Sequence, residues 1–184
     1  ERAFRVLPDP MNPSVTQADY ETQFRVTVEV HETSREIRDA LRRIECVQVQ
    51  AKDILSRARG ADREVGRLPD LLAEMEEALA PLRSQLTSQD DPTVPSGVQL
   101  PEGTGLDAEY GTLLYYLNSG GGYGAGGAEG RPTQGAMERK ADLDASWRRI
   151  EASLNPALES GVAAFNLEVA HLKLEGIVLK REGG

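Results

Sequence analysis

Apolar residues recur at three- and four-residue steps through most of this chain, which is the spacing of one face of an α-helix. From about Thr16 to Arg59 there is neither glycine nor proline. Ile37, Leu41, Ile44, Val47, Ala51, Ile54/Leu55 and Ala58 form a stripe there. Within this span, Phe24-Arg-Val-Thr-Val-Glu-Val30 alternates with period two and is β-branched, a strand signature on its own. Nothing breaks the chain on either side, so the reading is one long helix, with Phe24, Val28 and His31 extending the later stripe. Asn12–Thr16 supplies turn and N-cap chemistry, and Asp19 falls in a first turn, where the helix dipole favours negative charge. Gly60-Ala61-Asp62 reads as a C-cap followed by a new N-cap.

A second stripe runs through Val65, Leu68, Leu71/Leu72, Met75, Leu79, Leu82 and Leu86. Pro69 predicts a late start, and Pro81 a kink or break, because an interior proline removes a helix hydrogen bond. So short a turn between two long helices makes them antiparallel. Residues 88–106 are rich in turn signals and read as a connector. Asp107 is then expected to cap a short helix carrying Leu113, Leu114, Tyr116 and Leu117. Residues 119–131 form a glycine-rich loop. Pro132-Thr133 opens a fourth helix with Met137, Ala141, Leu143/Asp144, Trp147, Ile150 and Leu154 inward, and Asn155-Pro156 is expected to interrupt it. Leu158, Val162, Phe165, Val169 and Leu172 carry a last helix ending near Gly176, and Ile177–Leu179 is an apolar tail able to pack back on the bundle.

The predicted fold is all-α: an antiparallel helical bundle on one long hairpin (about 16–59 and 62–87), packed by three shorter helices. Ahead of it, residues 1–13 read as an extended segment. Ala3, Phe4, Val6 and Leu7 alternate with Arg2 and Arg5 like the last strand of a β-domain, and Pro8-Asp-Pro10 stops it. The chain thus reads as the tail of a larger protein, with the bundle spanning 14–184.

Composition narrows the function classes. A net charge of -9 without a basic cluster argues against nucleic-acid binding, which needs Lys and Arg to neutralise phosphates. No apolar run approaches the ~18 residues of a membrane span. Aromatic content of 5% and charged content of 28% suit an elongated helical bundle better than a sandwich. Cys46 is the single cysteine, so no intrachain disulfide forms.

Three local patterns carry chemistry elsewhere. Gly122-Tyr-Gly124-Ala-Gly-Gly127 matches a dinucleotide fingerprint in letters, but a helix rather than a strand precedes it, so a surface loop is the reading. Glu168-x-x-His171 has the spacing of di-metal carboxylate bundles, which need a second such pair. The other histidine, His31, follows Val28 at that spacing, so no metal is expected. Glu74, Glu76 and Glu77, and the pairs Arg42-Arg43 and Arg148-Arg149, read as solvated faces with ion pairs inside the bundle. No catalytic set or cofactor site emerges, and the chain is read as non-enzymatic.

Phe4-Arg-Val-Leu-Pro-Asp-Pro10, Ala18-Asp19 with Gln23, Ile44 with Gln50, Tyr110–Leu117, Pro132-Thr133-Gln134 and Phe165-Asn166 together resemble a known pattern. They are similar to the C-terminal helical region of bacterial sortilin-like, BNR-repeat "glycosyl hydrolase-type" exported proteins. The resemblance implies an upstream β-propeller, a periplasmic or extracellular location, and no catalytic residue in this region. The expected role is a non-catalytic structural or interaction module, an extrinsic subunit of a larger assembly, for example a respiratory or photosynthetic membrane complex touched peripherally. The alternative is an accessory domain of a secreted propeller hydrolase or carbohydrate-binding protein. The expected partners are other protein chains, with Phe4, Val6, Leu7, Tyr115, Tyr116 and Trp147 as candidate contacts, since aromatics are favoured at interfaces.

Overall fold

The computed structural model describes residues 14–87, 105–118, 130–174 and 176–177. The expected extended segment 1–13, most of the connector, the glycine-rich loop and Val178-Leu179 lie outside the described residues. Among the described residues there are four helices: α1 (Gln17–Gly60), α2 (Leu68–Leu86), α3 (Leu106–Asn118) and α4 (Gln134–His171). The fold is an all-α bundle, as the sequence predicts.

The strand-like run Phe24–Val30 is helical, inside an α1 of 44 residues, about 66 Å long at ~1.5 Å per residue. Its buried side chains are not the expected Phe24, Val28 and His31. Phe24 is 72% exposed, and Val28 and His31 also face solvent. Val26 and Val30 are buried instead. They continue a seven-residue repeat: Val30, Ile37, Ile44, Ala51 and Ala58 form one row, and Val26, Ala40, Val47 and Ile54 the other, with the half-buried Thr33 between Val26 and Ala40. A seven-residue repeat held this long drives left-handed supercoiling and knobs-into-holes packing.

The other helices follow the same rule. The buried positions are Leu68, Leu72, Met75, Leu79 and Leu86 in α2, and Leu106, Tyr110, Leu113 and Leu117 in α3. Helix α4 steps through Leu143, Trp147, Ile150, Leu154, Leu158, Val162, Phe165 and Val169. Three consecutive four-residue steps, from Ile150 to Val162, form a stutter that locally unwinds the supercoil.

Cross-links between helices fix the topology. Lys52 pairs with Glu76, so α2 returns antiparallel to α1. Gln23 donates to the Leu117 carbonyl, so α3 is also antiparallel to α1. Lys140 pairs with Glu29, and Trp147 donates to Glu36, so α4 runs parallel to α1. The end of α2 (Leu82, Gln85) and the start of α3 (Leu106, Glu109) meet over the same stretch of α4, around Ile150 and Leu143. The hairpin with three packing helices is therefore better described as three rods side by side: α1 and α4 running in one direction, and an antiparallel middle rod formed by α2 and α3 in tandem.

An interruption at Asn155-Pro156 and a kink or break at Pro81 are expected; neither helix breaks there. Pro81 lies inside α2 and Pro156 inside α4, each without ending its helix. Both prolines are exposed, as are Glu77 and Ala152, four residues earlier. The carbonyls that each proline orphans thus lie on the solvent side, where water can satisfy them. The two predicted C-terminal helices are one α4 of 38 residues, ending at His171 rather than near Gly176. Met137 and Ala141, expected inward, are exposed.

The ends of the helices differ in detail from expectation. Thr16 and Asp19 form a reciprocal capping box on α1, as Asp19's placement suggested. Thr133 caps α4 by accepting from the Ala136 amide, with Pro132 ahead of the cap rather than in the first turn. Helix α3 begins at Leu106, so Asp107 sits in its first turn and accepts from the Ala108 amide. Asp62 does not cap α2. It adopts φ 50° just past α1, while Asp62 donates to Arg59 and Arg63 to Ala58. This is a Schellman motif with aspartate where glycine is usual. Helix α4 ends the same way, with Lys173 at φ 55° and Lys173 and Leu174 donating to Ala170 and Val169. Ile177 does pack back: it is buried, and the Asn166 amide group both donates to and accepts from its backbone.

Candidate functional site

Two features stand out from the apolar layering, and both lie where α3 packs between α1 and α4. The first is a polar network inside the bundle. Tyr110 is fully buried, and its hydroxyl donates to Asp144 Oδ1 at 2.6 Å. Lys140 donates to Asp144 Oδ2 at 2.8 Å and pairs with Glu29 at 3.2 Å. One turn along, the indole N–H of the buried Trp147 donates to Glu36 at 3.1 Å. Burial raises the Tyr110 pKa far above the ordinary phenol value, and the adjacent Asp144 carboxylate adds to it. Tyr110 is therefore a neutral donor at every physiological pH. Burial opposes the charge on Lys140, but its hydrogen bonds to Asp144 and Glu29 outweigh this, and its pKa lies above the ordinary lysine value. A cation held between two carboxylates and a phenol that cannot ionise hold the helices together; neither group is poised for proton transfer near neutrality.

The second feature is a pocket of about 310 Å³ at the rod end where α3 finishes and α4 begins. Leu113, Leu117, Tyr116, Pro132 and Ala136 give it apolar walls, and an Arg139–Glu109 ion pair of 2.6 Å closes one side. Five of the seven large exposed apolar residues among those described lie near the same end; Val49 and Leu167 do not. Phe24 and Val28 face outward from α1, Tyr115 and Tyr116 from α3, and Met137 from α4. The Gln23–Leu117 and Lys140–Glu29 links place these positions within a few turns of one another along the rod. Tyr115 and Tyr116 pack edge to face, ring centres 5.9 Å apart.

The candidate contacts therefore separate. Tyr115 and Tyr116 are about half exposed at this end. Trp147 is 5% exposed and committed to Glu36, so its large surface is used within the chain. Phe4, Val6 and Leu7 lie outside the described residues. The period-two run by itself fits two helical faces; extending the seven-residue repeat backward from Ile37 and Ile44 assigns Phe24 and Val28 outward, against the inward placement expected of them.

Of the acidic and basic clusters, Lys52–Glu76, Arg67–Glu74 and Arg42–Asp39 form ion pairs and Arg148 and Arg149 are exposed, but Arg43 is half-buried with its Nε out of solvent rather than on a solvated face. Glu168 is used structurally. The α2 N-cap residue, Arg67, offers no side-chain cap, and the Arg67 amide donates to Glu168 Oε1 from α4. His171 is exposed. Among the described residues, no group of three or more His, Cys, Asp or Glu is placed to hold a metal ion. No helix among them is long and apolar enough to cross a membrane. No family model, curated protein or solved structure matches the chain.

Proposed function

We propose that this chain is a non-catalytic structural module, a three-rod coiled coil that spaces and docks other protein chains in a larger assembly. The observation that carries this reading is the segregation along the rod. Apolar layers fill the interior, while five of the seven large exposed apolar residues among those described, Phe24, Val28, Tyr115, Tyr116 and Met137, lie toward one end, with Val49 and Leu167 apart from them. Large exposed apolar residues that share one region mark a contact surface more often than scattered single ones do. The aromatic members suit a binding centre, because rings bury much area at little entropic cost.

An extrinsic subunit on a membrane complex, in an exported setting as the sortilin-like resemblance implies, is the form of this role we favour. The test is purification of the native protein at endogenous level, with intact-mass and stoichiometry measurements. A stoichiometric set of other chains is expected, and F24E/Y115E is expected to release them while leaving the melting temperature within about 1 °C, since surface changes alter stability little. Recovery of the rod alone, or partner retention by F24E/Y115E, would remove the docking role. Recovery as part of one much larger chain would assign it instead as an accessory domain of a secreted propeller protein.

A further inference from the structure

The pocket of about 310 Å³ between α3 and α4 is built differently from the exposed aromatic patch near it. Leu113 and Leu117, both buried, make its base, and Tyr116 makes a wall. The residues that α3 contributes, Glu109, Thr112, Leu113, Tyr116 and Leu117, share one face of the helix at three- and four-residue steps. The facing part of α4 starts with Gly135 and Ala136, the two smallest residues, before Arg139. Large side chains on one helix opposite the smallest on the other leave the space between them unfilled. Gly135 does not have a left-handed backbone, and a Cβ there would meet nothing within 4 Å. Neither conformation nor packing therefore calls for this glycine, a poor helix former, in the first turn of α4.

Most polar groups on the lining are spent inside the chain. Thr112 donates to the Ala108 carbonyl, Thr133 caps α4, and Gln23 donates to the Leu117 carbonyl at 2.6 Å. Arg139 keeps donors in reserve. Among the described residues its one hydrogen bond runs from Nη2 to Glu109, whereas a guanidinium carries five N–H donors. Its side chain is half exposed at the mouth of the pocket. Glu109 balances the Arg139 charge, so an incoming anion would meet a carboxylate as well as a guanidinium. An apolar cavity of about 150 Å³ accepts one benzene ring, and this pocket has about twice that volume. We propose that the pocket binds an uncharged molecule the size of two fused rings, with its apolar body between Tyr116 and Ala136 and one carbonyl-type acceptor at Arg139. Apolar walls with a single directed polar group are the common form of small-molecule sites. Of the patch residues only Tyr116 also lines the pocket, so this site stands whether or not the patch docks a protein.

Fluorescence titration of the full chain with prodan tests the site. Prodan is an uncharged naphthalene ketone whose emission moves to shorter wavelength in apolar surroundings. Saturable binding of one probe per chain is expected. Acetylnaphthalene should displace it, and naphthoate, the same rings with a carboxylate in place of the ketone, should need about tenfold more, because its charge would be buried unpaired. Ala136→Leu fills the pocket and should abolish binding at a melting temperature equal to or above that of the wild type. Gly135→Leu, placed in open space at the mouth, should weaken binding several-fold. F24E/Y115E should bind like the wild type. In R139M/E109Q, which removes both charges together, prodan should bind more weakly and emit at still shorter wavelength, since its ketone loses a donor. Absence of saturable binding, or unchanged binding by folded A136L (by G135L, should A136L not fold), overturns the site. Loss of binding in F24E/Y115E assigns the probe to the surface patch and overturns it equally. Equal displacement by naphthoate, or unchanged emission in R139M/E109Q, overturns an uncharged ligand anchored at Arg139.

Discussion

The start of α2 depends on a carboxylate from the other end of the sequence. Arg67 makes no side-chain cap, and Glu168 Oε1 accepts its amide proton at 3.0 Å. Glu168 is thus both an N-cap supplied in trans and a negative charge at the positive end of the helix dipole. Removing a side-chain cap costs about 1 kcal/mol, and a charge at this position contributes a further ~0.3–1 kcal/mol. Glu168→Ala should therefore destabilise by about 1–2 kcal/mol, a fall in Tm of roughly 3–6 °C for a chain of this size. Glu168→Gln keeps the acceptor and should lose only the smaller, charge-dependent share, about 0.3–1 kcal/mol. Gly66 adds an internal check. It has φ 45°, and a Cβ there would overlap Glu168 Oε1. Gly66→Ala should cost about 1 kcal/mol for the left-handed backbone and about as much again for displacing the cap. In the E168A background the second cost is already spent, so the double-mutant cycle should show a coupling near 1 kcal/mol. Chemical denaturation of the four proteins measures it. Strictly additive effects, or E168Q as damaging as E168A, would refute the cap in trans.

Asp19 has its pKa lowered, mainly by its hydrogen bonds to the Thr16 side chain and backbone. A group with a depressed folded pKa stabilises above its unfolded value and loses that contribution as pH falls. The first turn of α1 should therefore exchange amides faster, relative to the rest of α1, once pH drops below about 4, and Asp19→Asn should abolish this pH dependence. Lys173 holds a left-handed backbone at the end of α4, so Lys173→Gly should stabilise by about 1 kcal/mol in urea titration. Pro156→Ala restores a helix hydrogen bond at an exposed site, and after the loss of proline's rigidity in the unfolded chain it should gain about 1–2 kcal/mol. Leu154→Ala, at a fully buried layer, should cost about 3–5 kcal/mol, and a loss under 1 kcal/mol would contradict the filled core.

Much of the fold is written in the period of the apolar residues. The lengths of α1 and α2 and the Thr16 cap were legible, because each depends on neighbours within one or two turns, whereas at α4 the expected first-turn proline gives way to Thr133 as the cap. The burial of Val26 and Val30 in place of Phe24 and Val28 was half legible. The local pattern fits two helical faces, and only the continuation of the heptad through Ile37 and Ile44 chooses between them. The polar contacts of α3 were not legible, since Tyr110, Lys140 and Asp144 are ordinary residues until the rods bring them together.

What the sequence determines by itself is therefore helix, seam and cap: properties of hydrogen bonds and side chains separated by a few residues. What only the tertiary structure decides is how prolines are tolerated and how rods are paired. Pro81 and Pro156 spare their helices because they fall on the outer face, so the orphaned carbonyls meet water while packing holds the inner face together. The middle rod is two helices in tandem because α2 and α3 each match the seam of α1 and α4, and no local signal records that match. Glu168 shows the same division. Its spacing to His171 is that of a metal-binding pair, for which the sequence lacks the second pair, and a helix end a hundred residues away in sequence, 3.0 Å in space, claims its oxygen.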